Sequence, residues 1–164
     1  MGWDSKRTTR LCPCGYLGDS GGRCRCTPDQ VARYRGRLSG PLLDRIDLQV
    51  FVPRLESSEL TAQAAPPAES SAAVRERVVR ARRLQTARAG KPNAVLAPQQ
   101  LQRDCVLDAA GLELLGNAMS RLALSARAYH RVLKVARTIA DLAGIAQVSS
   151  AHVAEALRYR QLES

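Results

Sequence analysis

From Ser71 onward apolar residues recur three and four positions apart, and each such run is bracketed by helix start and stop signals. "AAVRERVVRARRLQTARAG" stops at Gly90 with Pro92 beyond it. "APQQLQRDC" reads as a short helix that starts at Pro98. "AAGLELLGNAMSRLA" follows Asp108 as N-cap, with Leu112, Leu115, Met119 and Leu122 on one face. "ARAYHRVLKVARTIADLAG" follows Ser125 and closes at Gly144. Its inner face carries Tyr129, Val132, Leu133, Ala136, Ile139, Ala140 and Ala143, while Arg127, Arg131, Lys134, Thr138 and Asp141 fall mainly on the other side. "SAHVAEALRYRQL", capped by Ser149, turns Val153, Ala156 and Leu157 inward. Five helices on short loops predict a small bundle. One Phe, one Trp and four Tyr in 164 residues leave Leu, Val, Ala and Ile to build the core, which suits helical packing.

The rest of the chain reads differently. Residues 1–11 are expected to be a disordered leader, and residues 56–70, Ala/Pro/Ser-rich without periodicity, a linker. Between them, "CTPDQVARYRGRLS" places Thr27 as N-cap and Pro28 at the first helical position, with Gly40-Pro41 ending the helix. "DLQVFV", closed by Pro53, reads as a strand. No run approaches the roughly 20 apolar residues that span a bilayer, and no apolar signal region opens the chain, so a soluble, cytoplasmic protein is expected. The net charge of +10 is concentrated outside the linker, at +5 over residues 1–55 and +8 over 73–164. Such surfaces favour polyanions, so DNA is a candidate partner; a solvated Arg-rich face of a GC-rich genome accounts for the same composition.

Two groups of residues carry chemistry. "CPCGYLGDSGGRCRC" sets Cys12, Cys14, Cys24 and Cys26 as two C-x-C arms around a Gly/Asp/Ser turn. Paired as a hairpin, the arms bring four sulfurs to one side, which is what a structural zinc needs. A disulfide pair, or free thiols in a turn, remains open. Cys105 stands alone and reads as a small buried residue. His130 and His152 have no nucleophile or carboxylate at a catalytic spacing. In "LSGPLLDRIDLQV", Arg45 lies between Asp44 and Asp47 just before an apolar run. It fits either a local salt bridge or a guanidinium offered to a phosphoryl group elsewhere.

"CPCGYLGD", "CRCTPDQVARYRGRLSGPLLDRIDLQVFVPRL", "LSARAYHRVLKVARTIADLAG" and "HVAEALRYR" together resemble the C-terminal part of magnesium-chelatase-like AAA+ ATPases, in the ComM-like group. The resemblance implies a mainly α chain. Residues 71–164 would be the helical lid, and residues 12–55 a short α/β remnant of the ATPase core with the cysteine hairpin. It implies that Arg45 is an arginine finger, that Arg127 is the sensor-2 residue facing ATP, and that both act in a hexameric ring binding ATP and magnesium. DNA processing is the work it implies; magnesium insertion into a porphyrin, or a non-enzymatic basic module binding DNA or protein, are the alternatives. The family's phosphate loop and acidic magnesium motif lie upstream of the matched region, and Arg10 and Leu11 stand where the family has Asn-Pro. This chain alone is therefore expected not to hydrolyse ATP.

Overall fold

The structure, a computed structural model, describes residues 11–19, 21–37, 45–50, 52 and 69–160. All of the leader but Leu11 and most of the linker lie outside these residues, as do Gly40, Pro41, Asp44, Phe51 and Pro53. The chain divides into two compact units, one of Met1–Arg45 with Val52–Gln63, the other of Ile46–Phe51 with Ala64–Ser164.

In the first unit, helix α1 (Pro28–Arg35) begins as its signals require. The Thr27 hydroxyl accepts from the Gln30 amide at 3.3 Å, and the Gln30 side chain returns the bond to the Thr27 amide at 3.0 Å. Gly36 already caps its C-terminus, so the helix stops well before Gly40.

The second unit is the helical bundle. It comprises α2 (Ser71–Ala89), a 3-10 turn (Asn93–Val95), α3 (Pro98–Asp104), α4 (Ala109–Arg121), α5 (Ala126–Ala143) and α6 (Ser150–Arg158). Helix α5 is the axis, packing against α2, α3 and α6, while α4 packs on α6. Leu101, Leu115, Val132, Ala136, Val148 and Val153 form the centre of the apolar core, each at most 1% exposed. Among the described residues the only β pairing is an isolated parallel bridge, Leu107 to Val148, which sets the start of α4 beside that of α6. No described helix is long and apolar enough to cross a membrane.

Three expectations change here. "DLQVFV" is not a strand over its described residues: Leu48, Val50 and Val52 are 50%, 63% and 79% exposed. A lone segment without a sheet neighbour has no ladder to join. On α4, Leu112 and Leu122 face outward, and the buried positions are Gly111 and Leu115. The absence of a side chain at Gly111 lets α4 approach the start of α6. A Cβ there would stand 3.5 Å from the Ser150 nitrogen and 2.7 Å from the capping carboxylate of Asp108. On α5, Asp141 is not on the outer face but buried, as is Arg137.

Helix α4 ends without a glycine. Ala123 takes the left-handed conformation at φ 47°, and the Leu124 amide reaches back to the Met119 carbonyl at 3.0 Å. An L-residue is strained there, so Ala123→Gly is expected to stabilise the bundle by about 0.5–1 kcal/mol. Chemical unfolding of the two chains checks this.

Candidate metal centre and basic pocket

The first unit brings four sulfurs together. Pro13 follows Cys12 into a tight turn, closed by the Gly15 amide on the Cys12 carbonyl at 3.1 Å, with Gly15 at φ 81°. Further turns return the chain, with the Asp19 amide on the Tyr16 carbonyl and the Gly22 amide on the Asp19 carbonyl, both at 3.1 Å. Arg23 then pairs with Asp19 at 2.7 Å and lies over the Tyr16 ring. The route is therefore a series of turns, not the β-paired hairpin expected, but its result is the same. The ligand atoms of Cys12, Cys14, Cys24 and Cys26 all lie within 4.8 Å of one another.

The sulfur separations suit a four-thiolate metal site better than a disulfide. Cys12–Cys14, Cys14–Cys24 and Cys12–Cys24 are 3.3, 3.6 and 3.8 Å apart. A tetrahedron of sulfurs at the usual zinc bond of about 2.3 Å has edges of about 3.8 Å. A disulfide requires about 2.05 Å, and all five cysteines are free. The backbone N–H of Tyr16 does most to bring the Cys14 thiol down to about 6, against burial and with help from the Cys12 and Cys26 sulfurs. At Cys26 the pull of the Cys14 backbone is outweighed by the Cys14 sulfur, burial and Cys12, which push it up to about 12. Four sulfurs this close cannot all be anionic without a cation among them. Cys105 lies apart, buried in the bundle and pushed up to about 12 chiefly by burial. It is the small buried residue expected.

The second unit holds the basic site. Helix α5 starts at Ser125, whose hydroxyl accepts from the Ala128 amide at 3.1 Å. Arg127, Arg131 and Lys134 follow at helical spacing, so their side chains share one face. They line a cavity of about 240 Å³ with His130, Asp47 and Leu101. Lys134 donates to the Ala94 carbonyl at 2.9 Å. Burial, with the nearby Arg131 and Lys91 charges, lowers its pKa against the opposing pull of Asp47. The basic face was legible from spacing. What the sequence did not reveal is that Asp47, more than eighty residues away in the chain, forms its ion pair with Arg131. Of the two partners expected for Arg45, Asp47 is thus engaged elsewhere, and Asp44 lies outside the described residues. Arg45 itself is exposed.

Behind α5 lies a buried polar cluster that no motif marked. The Asp141 carboxylate accepts from Arg88 at 2.7 and 2.8 Å, from Asn93 at 2.8 Å and from Arg137 at 3.2 Å. Arg137 also donates to the Ile145 and Ala146 carbonyls past the helix end, at 2.7 and 2.6 Å. The Asn93 amide donates to the Gln85 side chain at 3.3 Å. These bonds fasten α2, which buries only Ala81 and Gln85, to the bundle.

Comparison with known proteins agrees with this architecture. Residues 68–160 match the family described as magnesium chelatase, subunit ChlI C-terminal, and residues 7–60 match magnesium chelatase, subunit ChlI. The competence protein ComM of Haemophilus influenzae is 48% identical over 150 residues, which is 92% of this chain and 29% of that protein. The protein YifB of Salmonella typhimurium is 44% identical over 151 residues, with the same coverage of 92% and 29%. A Mycobacterium tuberculosis relative is 38% identical over 154 residues, covering 92% of this chain and 30% of its own length. The chain thus spans under a third of these relatives.

Proposed function

Because this chain belongs to the magnesium chelatase subunit ChlI C-terminal family, we propose that it serves nucleotide hydrolysis in an AAA+ ring of the ComM type. In this reading Arg127 is the sensor-2 residue that contacts ATP bound to its own subunit, and Arg45 is the arginine finger offered to the neighbouring subunit. The observation that carries it is the shared pocket of Arg127, Arg131 and Lys134 at the start of α5. Guanidinium and ammonium groups on one helix face, at a positive helix terminus, suit the phosphates of a nucleotide. The ring is proposed to be a homohexamer, with magnesium arriving on the nucleotide. Arg45, exposed and itself in a turn, has the reach that an inter-subunit finger requires.

DNA is the proposed substrate of the ring. The net charge of +10 and the exposed Arg75, Arg80, Arg82 and Arg83 along α2 support it. Magnesium insertion is the activity in the family's name, but the ComM and YifB relatives that match 92% of the chain favour the first reading. The four-cysteine cluster is proposed to hold a structural zinc that fastens the segment carrying α1.

Titration of the chain with a fluorescent ATP analogue tests the nucleotide reading. Arg127→Ala is expected to weaken binding about tenfold, the loss of one charge-assisted contact. Arg45→Ala should leave the affinity unchanged, because the finger serves a different subunit's nucleotide. Equal affinity of the wild-type and Arg127→Ala chains would remove Arg127 from the site.

A further inference from the structure

The pocket on α5 already holds an oxyanion, and that anion belongs to the chain itself. Asp47 places a carboxylate oxygen on the Arg131 guanidinium. The segment that carries it is fastened at two further points. The Gln49 amide donates to the Tyr159 carbonyl at 2.8 Å, and Arg160 donates to the Ile46 carbonyl. Residues 46–50 therefore form a strap across the bundle, and Asp47 is its charged clasp. The clasp is weakly closed. Its Asp47 side chain is 58% exposed, and half-exposed pairs of this kind contribute little.

We infer that Arg131 and Lys134 form a second oxyanion-binding arm beside Arg127, that Asp47 occupies it as an internal stand-in for phosphate, and that a phosphate group of a bound nucleotide exchanges with Asp47 and unfastens residues 46–50. Three observations converge on this. The same guanidinium lines the cavity and binds the carboxylate. Lys134 brings a second cation to the same cavity, its amine held by the Ala94 carbonyl. A phosphate chain carries more charge and more acceptor oxygens than one carboxylate, and it accepts from a guanidinium fork in the same geometry. The exchange has a consequence for the ring. Residues 46–50 directly follow Arg45, so phosphate in one subunit's pocket frees the segment that carries the same subunit's finger. Occupancy at one site is thereby reported to the next. This rests on the nucleotide reading of the pocket and adds the residues that couple it to the strap.

Amide hydrogen exchange on the full 164-residue chain tests it, with magnesium-free inorganic tripolyphosphate as the probe. The Gln49 amide is expected to lose protection about tenfold on saturation, while amides in the core of α5 keep theirs. Asp47→Asn should unprotect Gln49 without any probe and bind tripolyphosphate about fivefold more tightly. Arg131→Gln breaks the same clasp, so it should leave Gln49 unprotected with or without the probe and weaken the probe about tenfold, in a chain whose helix content by circular dichroism is unchanged. Unchanged Gln49 protection at saturation, with ATP binding still dependent on Arg127, would overturn the exchange and leave the nucleotide reading standing. Failure of both ATP and tripolyphosphate to bind would overturn both. Release of Gln49 by a short DNA duplex but not by tripolyphosphate would overturn the nucleotide as the source of the phosphate.

Discussion

Replacing Asp141 by alanine is expected to destabilise the bundle by about 3–5 kcal/mol, the loss typical of breaking a buried pair by removing one partner. Asp141 is 3% exposed, and its carboxylate is the shared acceptor of Arg88, Asn93 and Arg137. Removing it leaves the Arg137 guanidinium, itself 2% exposed, without a counter-charge inside the core. Urea unfolding followed by circular dichroism measures the loss. Trypsin gives a second readout, because α2 is rich in arginine and is fastened largely through this cluster. The variant should be cut within α2 under conditions where the wild-type chain is not. A loss below about 1 kcal/mol, with α2 still resistant, would mean the cluster does not hold the helix.

The same carboxylate sets a pH dependence. Burial alone would raise its pKa, but the hydrogen bonds from Arg88 and Asn93 and the charge of Arg137 outweigh burial and hold it below the ordinary value of 3.8. A group whose folded pKa is depressed contributes fully above its unfolded value and loses that contribution as pH falls through the folded one. The wild-type chain should therefore lose this stabilisation only on the acid side of about pH 4. Asp141→Asn, with no proton to take up, should lack that limb of the profile.

The four-sulfur cluster predicts a bound metal. Protein purified without added metal should carry one zinc per chain, with four thiols protected and only Cys105 outside the site. Cys14→Ser should lower metal affinity by more than about a hundredfold, since changes beyond the ligands themselves lose ten- to a hundredfold. Stripping the metal with a strong chelator should loosen residues 11–26, since binding at such a site is coupled to folding. Amide exchange in that segment should rise, while exchange in α5 stays constant. Reactive thiols at Cys12, Cys14, Cys24 and Cys26, with no zinc, would remove the metal from this site and leave a cluster of free cysteines.

Much of this was legible in local chemistry. Thr27, Asp108 and Ser125 cap helices because a short side-chain oxygen can take an amide of the first turn. Gly90 and Gly144 end helices because each adopts a left-handed conformation that costs glycine little. The C-x-C arms and the spacing of Arg127, Arg131 and Lys134 identified candidate ligands and a basic face, since residues two, three or four apart need no distant partner to be aligned. These features act within a few residues, so local sequence suffices to place them.

Tertiary structure decided whatever depended on a distant neighbour. Periodicity set Asp141 on the outer face of α5. Arg88 of α2 and Asn93 supply the hydrogen bonds that let a carboxylate be buried there, and neither can be read from α5 alone. Leu112 looked like core until Gly111 allowed α4 to turn a different edge toward α6. "DLQV" alternates like a strand, yet it lies as a strap because Asp47 meets Arg131 and the Gln49 amide meets the Tyr159 carbonyl, not another strand's ladder. A sequence pattern says which side chains share a face; only packing says what covers that face, and the cost of burying charge without a partner makes the covering decisive.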